Sequence, residues 1–295
     1  RFLFFIRPRR FGKSLFLSIL ENYYDINQKD RFDYFFNGTA VHLDPTPAKN
    51  SYLVLKFDFS TVNPEPAYVE RSFYSHVKNA ANFFLSRYRE LLHIDPTEVK
   101  AELRSKETAS DLLDTLIYLC REKGQKIYTI IDEYDNFANT ILSTAGEQEY
   151  RSLTHGEGFF RTFFNVLKGG TSGANAPVSR LFISGVSPIT LDDVTSGFNI
   201  AQNISLDHDI NEMLGFTVTE VEALIEYYRQ TGKINHSTPE LIALMSDWYN
   251  GYRFSGDAHT RVFNSVQVLY FLNEYLKNSR LPVDLIDRNV RIDYH

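Results

Sequence analysis

Residues Arg1 to Leu20 read RFLFFIRPRRFGKSLFLSIL, and the fold turns on how that stretch is parsed. A run of large apolar residues, Phe2 to Ile6, stops at Arg7-Pro8. Arg9-Arg10-Phe11-Gly12-Lys13-Ser14 follows, and then Leu15, Phe16, Ile19, Leu20 and Tyr23 recur at helical spacing. The pattern is that of a buried strand, a tight loop and a helix. Gly12-Lys13-Ser14 falls where the loop becomes the helix. A loop so built holds phosphate: backbone N–H groups over Arg9, Arg10, Phe11, Gly12, Lys13, Ser14 and Leu15 cradle it. The Lys13 ammonium reaches the terminal phosphates, and the Ser14 hydroxyl binds Mg²⁺. The generic pattern has Gly six residues before the Lys, where it permits a sharp backbone turn, and this chain has Arg7 there. The competing reading is a basic surface turn, with Arg7, Arg9, Arg10 and Lys13 as a nucleic-acid contact.

Composition narrows the classes. A chain of 295 residues holds one large domain or two small ones. Its 43% hydrophobic and 23% charged residues are those of an ordinary globular chain, and 24 Phe with 18 Tyr favour large packed cores. A net charge of −6 argues against a globally basic nucleic-acid binder and leaves a local patch open. The single Cys, Cys120, excludes an intramolecular disulfide, fits a reducing, cytoplasmic compartment, and sits in an apolar run as a buried structural thiol would. No apolar run reaches transmembrane length, and the residues given are not expected to include a signal peptide. The chain starts inside a strand without Met and ends on RNVRIDYH, so the numbering is expected to lie within a longer protein.

Along the chain, Asp30 to Asn50 reads as loop, and Leu53, Leu55, Phe57 and Phe59 alternate as a second strand. Tyr68 to Leu92 reads as one long amphipathic helix broken by Asp95-Pro96, and Ser110 to Glu122 as another, ended by Gly124. KIYTII, Lys126 to Ile131, is a third strand. A helix includes Phe159 to Leu167, Gly169 to Pro177 is a linker loop, RLFIS from Arg180 is a fourth strand, and Asn203 to Leu206 a candidate fifth. From Asp207 onward helices dominate. Thr219-x-x-Glu222 reads as a capping box and Thr238-Pro239-Glu240 as a second helix start, with a third helix over Ser265 to Leu276. The expected organisation is therefore residues 1–206 as an α/β core with a parallel sheet between helices, and 207–295 as an all-helical subdomain.

The second chemical motif is YTIIDE, Tyr128 to Glu133. A hydrophobic strand ending in Asp132 puts a carboxylate on the sheet edge where ligands bind. That group holds Mg²⁺ well, and Glu133 polarises an attacking water. Alone, Asp132 and Glu133 are merely the polar end of a strand; with GKS on an earlier strand they complete a Mg-nucleotide site. Ser184, at the tip of the fourth strand, contacts the γ-phosphate or the water, or is an ordinary turn hydroxyl. His155 and His208 have no partners at zinc spacing.

Together these segments resemble the predicted AAA-ATPase-like family of P-loop proteins, relatives of the archaeal ATPases in the additional-strand catalytic-Glu division. The resemblance is carried by FLFFIRPRRFGKSL, IIDEYD (Ile130 to Asp135), FISGVSPIT (Phe182 to Thr190), SGFNIAQNISLD (Ser196 to Asp207), LGFTVTEV (Leu214 to Val221), WYNGYRF (Trp248 to Phe254) and VFNSVQVLYFL (Val262 to Leu272). Arg7 in place of Gly is usual there. The resemblance implies a P-loop ATPase binding ATP and Mg²⁺: Lys13 and Ser14 on phosphates and metal, Asp132 as the Walker B metal carboxylate, Glu133 as the water-orienting base, and Ser184 at the sensor position. It implies a helical lid from about residue 207 and, in many members, an attached effector domain of nuclease-like type. Arg180, Arg253 and Arg261 are candidates by position only for stabilising transferred phosphate. Two other classes stay open: a nucleotide-gated interaction module with negligible turnover, and a nucleic-acid-binding module.

Overall fold

The computed structural model describes residues 1–188 and 200–286. The Ile189-Thr190 end of FISGVSPIT, the first four residues of SGFNIAQNISLD and the RNVRIDYH stretch lie outside the described residues. The chain forms two units. One comprises Arg1–Ile6 with Ser14–Asn203, the other Arg7–Lys13 with Ile204–His295.

The first unit is an α/β sandwich built on five parallel strands: β1 (Phe2–Ile6), β2 (Leu53–Asp58), β3 (Ile127–Asp132), β4 (Val178–Gly185) and the two-residue β5 (Gln202–Asn203). Their order in space is β2-β3-β4-β1-β5. Thus β4 separates the strand that feeds the GKS loop from the strand that ends in Asp132, although β2 lies between those two in the sequence. Register places Phe5 opposite Ser184 and Asp58 opposite Asp132. All six residues of β3 are buried, as expected of a parallel strand flanked on both edges and covered on both faces. β2 is the sheet edge; its Val54 N–H donates to the buried Tyr88 hydroxyl, which blunts the edge.

One face of the sheet is covered by α4 (Val69–Arg87), α7 (Ala109–Glu122) and α10 (Phe159–Gly169). Phe57, Phe59, Phe73, Phe137, Phe160 and Phe163 interlock there, largely edge to face, with the Phe59 and Phe73 centroids 4.8 Å apart. The apolar spacing of α7 is realised with Thr108 as its N-cap, and Cys120 is fully buried with its thiol pKa pushed by burial up to about 12.

Several local expectations change. The long helix from Tyr68 stops at Arg87, and a four-residue turn of helix, α5 (Arg89–Leu92), follows Tyr88. Asp95-Pro96 does not merely break a helix. Asp95 caps α6 (Pro96–Arg104) by accepting from the Thr97 N–H, with Pro at the first position where its missing N–H costs nothing. The Asp30–Asn50 loop contains two short helices, α2 (Phe32–Phe36) and α3 (Ala40–Leu43), because Phe32 and Phe36 bury against Tyr23 in a small core of their own.

The second unit contains helices Val218–Arg229, Thr238–Tyr249 and Ser265–Asn278 around Ile225, Met245, Phe271 and Tyr275. The capping box sits two residues earlier than the sequence pattern suggests. Thr217 and Glu220 exchange the reciprocal bonds, since T-V-T-E offers two overlapping starts and the earlier one has the extended N-cap backbone. A short antiparallel pair, Asn250–Tyr252 with Val262–Phe263, was not expected from the helical pattern.

Candidate nucleotide site

In the first unit the site begins where β3 ends. Asp132 is buried, and its Oδ2 accepts a 2.7 Å hydrogen bond from Ser14 Oγ in the first turn of α1 (Lys13–Tyr24). Its Oδ1 accepts from the Glu133 N–H at 3.0 Å. Two residues separated by 118 positions thus present hydroxyl and carboxylate oxygens side by side. Oxygen-only donors of this kind suit Mg²⁺, which uses one or two protein ligands and keeps several waters.

Glu133 itself has φ +49°, a left-handed conformation that a non-glycine residue holds only when its surroundings impose it. The next two residues supply that constraint. The Tyr134 N–H donates to the Ser184 carbonyl at 3.1 Å, and the Tyr134 hydroxyl donates to the Ser187 carbonyl at 2.6 Å. Asp135, fully buried, accepts from the N–H groups of Val186 (3.1 Å) and Ser187 (2.6 Å) and from Asn139 Nδ2 (2.8 Å). Burial raises the Asp135 pKa, and these donors pull it back. Gly185 lies so close that a Cβ would sit 2.4 Å from the Tyr134 ring and 2.5 Å from Asp135 Oδ1. The tips of β3 and β4 are therefore locked to each other, and Glu133 is held in the turn between Asp132 and that lock. Sequence reading stopped at Asp132-Glu133 and missed this pair; the only signal was a further acid two residues on. Asp135→Ala leaves the Val186 and Ser187 amides without their acceptor, and is expected to lower stability by about 3 kcal/mol in urea unfolding. Asp135→Asn, which keeps an acceptor, should lose less.

Ser184 is 1% exposed and its Oγ has no hydrogen-bond partner among the described residues. A buried orphan hydroxyl at a strand tip is costly unless a ligand or water answers it. On α1, Leu15 is 69% exposed and Ile19 is also exposed, whereas Leu17 is fully buried. The apolar set there is wider than one helix face, so helical spacing alone does not separate its buried from its exposed members; Phe16 packs on Phe182.

The loop Arg7–Lys13 packs in the second unit. Arg7 is buried, its guanidinium donating to the carbonyls of Ser205 (2.8 Å) and Ile210 (2.7 Å) and lying 3.9 Å from the Phe254 ring centre. Burial lowers its pKa to about 10, so it remains a cation at neutral pH. Phe11 sits edge-on to Tyr252 and Phe254. The turning expected of a glycine at position 7 is supplied by Arg10 (φ +72°) and Gly12 (φ +87°). Lys13 is 6% exposed, and its Nζ donates to the carbonyls of Arg7 (2.9 Å) and Pro8 (3.1 Å). The surface patch of Arg7, Arg9, Arg10 and Lys13 is thereby corrected: Arg7 and Lys13 are inside, Arg9 is exposed and Arg10 half-buried. Of the positional arginines, Arg253 and Arg261 are exposed, and Arg180 is half-buried with its NH1 on the Ser179 carbonyl.

The model of one family, described as predicted AAA-ATPase, matches residues 1–195. The chain belongs to the predicted AAA-ATPase family. Membership supports an ATPase-like, nucleotide-binding role, and the parallel α/β sheet is consistent with it. The chain is also similar to an uncharacterized protein in the vnfD 5' region of Azotobacter chroococcum mcd 1, at 27% identity over 294 residues. That alignment covers 96% of this AAA-ATPase-like chain and 48% of the relative, so the chain spans about half the relative's length. No helix among the described residues is long and apolar enough to cross a membrane.

Proposed function

We propose that this chain binds ATP with Mg²⁺ and hydrolyses it by in-line attack of water on the γ-phosphate. The observation that carries the reading is the Ser14 Oγ to Asp132 Oδ2 bond of 2.7 Å, which brings the two sequence-distant oxygen ligands together. Mg²⁺, when bound, would neutralise phosphate charge. Lys13 exchanges its loop carbonyls for β- and γ-phosphate oxygens, and the N–H groups from Arg9 to Leu15 receive the remainder. Glu133 accepts a proton from the attacking water, and the Ser184 hydroxyl donates to the γ-phosphate or to that water. Residues from about 207 act as the lid, and hydrolysis drives or gates an effector that is attached or separate, a nuclease-like domain being one candidate.

Lys13→Ala tests the nucleotide site directly. By calorimetry with Mg-ATP, the parent chain should bind saturably and the variant at least about 100-fold more weakly, since it loses a charge-assisted contact made in a dry loop. Equal affinity would overturn the assignment. Binding by the parent without phosphate release would instead make the chain a nucleotide-gated module.

A further inference from the structure

Asp58 closes β2 directly opposite Asp132 on β3. Neighbouring strands run about 4.8 Å apart, so the two carboxylates are neighbours at one end of the sheet. Their side chains also share a face. Lys56, two residues before Asp58, pairs with Glu21 of α1 at 3.2 Å, and Asp132 accepts from Ser14 of the same helix. Alternation along each strand therefore turns Asp58 and Asp132 alike toward α1. No ion pair among the described residues includes either carboxylate. Two like charges so placed repel each other, and a cation offsets that repulsion.

A second, independent feature marks the same row. Ser184 stands one step beyond the Ile131–Ile183 pair, which sets it beside Asp132 on the other flank. Phe182, two residues earlier, packs on Phe16 of α1, so Ser184 faces that helix too. Its buried hydroxyl is the one that lacks a hydrogen-bond partner, and a ligand or a ligand's water would answer it. Three adjacent strands thus end in a row of oxygen side chains, Asp58, Asp132 and Ser184, with Ser14 Oγ against the middle one.

The members of the row differ in surroundings. Asp132 is buried and bonded to Ser14, whereas Asp58 is exposed. Asp58 Oδ1 accepts from the Ser60 N–H at 2.9 Å, which orients the carboxylate and leaves Oδ2 for another donor. We propose that Asp58 is a positioning residue of the divalent-cation site, accepting a hydrogen bond from a water of the metal while Ser14 and Asp132 are its direct ligands. The inference rests on the reading that this edge takes Mg-nucleotide. Mg²⁺ keeps several waters, so an outer carboxylate has something to hold. Outer partners of this kind change metal affinity by about 10- to 100-fold. Without the metal, the same charge repels the phosphates.

The test compares the 295-residue chain with Asp58→Asn, which keeps the acceptor for the Ser60 N–H and removes the charge. ATP is titrated by calorimetry in excess Mg²⁺ and again in EDTA. In Mg²⁺ the variant should bind about tenfold more weakly, because the metal is held less well. In EDTA it should bind about threefold more tightly, because a negative charge near the phosphates is gone. A merely structural role would move both affinities the same way. Mn²⁺ titrated into the ATP complex and read by electron paramagnetic resonance should show a dissociation constant about tenfold higher in the variant, with partial recovery in Asp58→Glu. An unchanged ratio of Mg²⁺ to EDTA affinities, or unchanged Mn²⁺ affinity, would overturn the role of Asp58 and leave the Ser14–Asp132 pair standing. Failure of the parent chain to bind ATP in either condition would overturn the nucleotide reading and this inference together.

Discussion

Glu133→Gln should leave Mg-ATP affinity within about twofold and slow phosphate release at least about 100-fold, the range lost when a positioned general base is removed. The change keeps shape and length and removes only the charge proposed to accept the water's proton. It is also neutral to the backbone: Glu133 holds φ +49° because Tyr134 and Asp135 are bonded to the tip of β4, and Gln at that position meets the same constraint. Asp132 continues to accept from Ser14 and from the N–H of residue 133, so the proposed metal ligands stay in place. The two readouts must separate. Calorimetry gives affinity, and single-turnover phosphate release gives the chemical step. Turnover at the parent rate would remove Glu133 from the mechanism and leave Asp132 or solvent as the base. Loss of binding as well would show that the Glu133 carboxylate serves the ground state, which a water-orienting base does not.

The sequence made some of this visible and hid the rest for identifiable reasons. β1 and β3 were legible because each is a run of apolar and β-branched residues that stops at a polar tip, and central parallel strands are written that way. Ser14 and Asp132 were legible as neighbours because each is ambiguous alone and the two motifs need each other to bind Mg-nucleotide, and the two side chains meet. The spatial place of β4 was not legible, since strand order in a parallel sheet is set by crossover packing and not by chain order. Leu15 and Ile19 share the helical spacing yet are exposed, because the apolar residues of α1 cover more than one face. Asp135 and Gly185 escaped notice because their importance is a distance: one carboxylate reaching two amides, and one α-carbon against a ring. The role of Arg7 was hidden for the same reason. Its charge suggests a surface, and only its burial shows otherwise.

Arg7 carries the other large expected effect. Generic phosphate loops have glycine at this position, so a motif-based repair would write Arg7→Gly and expect a better loop. The structure leads to the opposite outcome. In the second unit the Arg7 guanidinium is the donor for the Ser205 and Ile210 carbonyls and lies on the Phe254 ring. Removing it leaves two carbonyls short of a donor, an aromatic face without its cation and a void where a buried side chain stood. Such losses sum to about 3–5 kcal/mol in Arg7→Gly or Arg7→Ala. Arg7→Lys should recover part of this, since one ammonium cannot reproduce the planar fork that addresses both carbonyls and stacks on the ring. The chain has a single tryptophan, Trp248, which lies in the second unit, so its fluorescence during urea unfolding reports on the part of the molecule that Arg7 holds. A midpoint for Arg7→Gly equal to that of the parent would show that the guanidinium contacts are dispensable. A midpoint lowered in the order Lys, then Ala and Gly, would show that the departure from the generic motif is a structural element of this loop, with Arg10 and Gly12 doing the turning that glycine at position 7 does elsewhere.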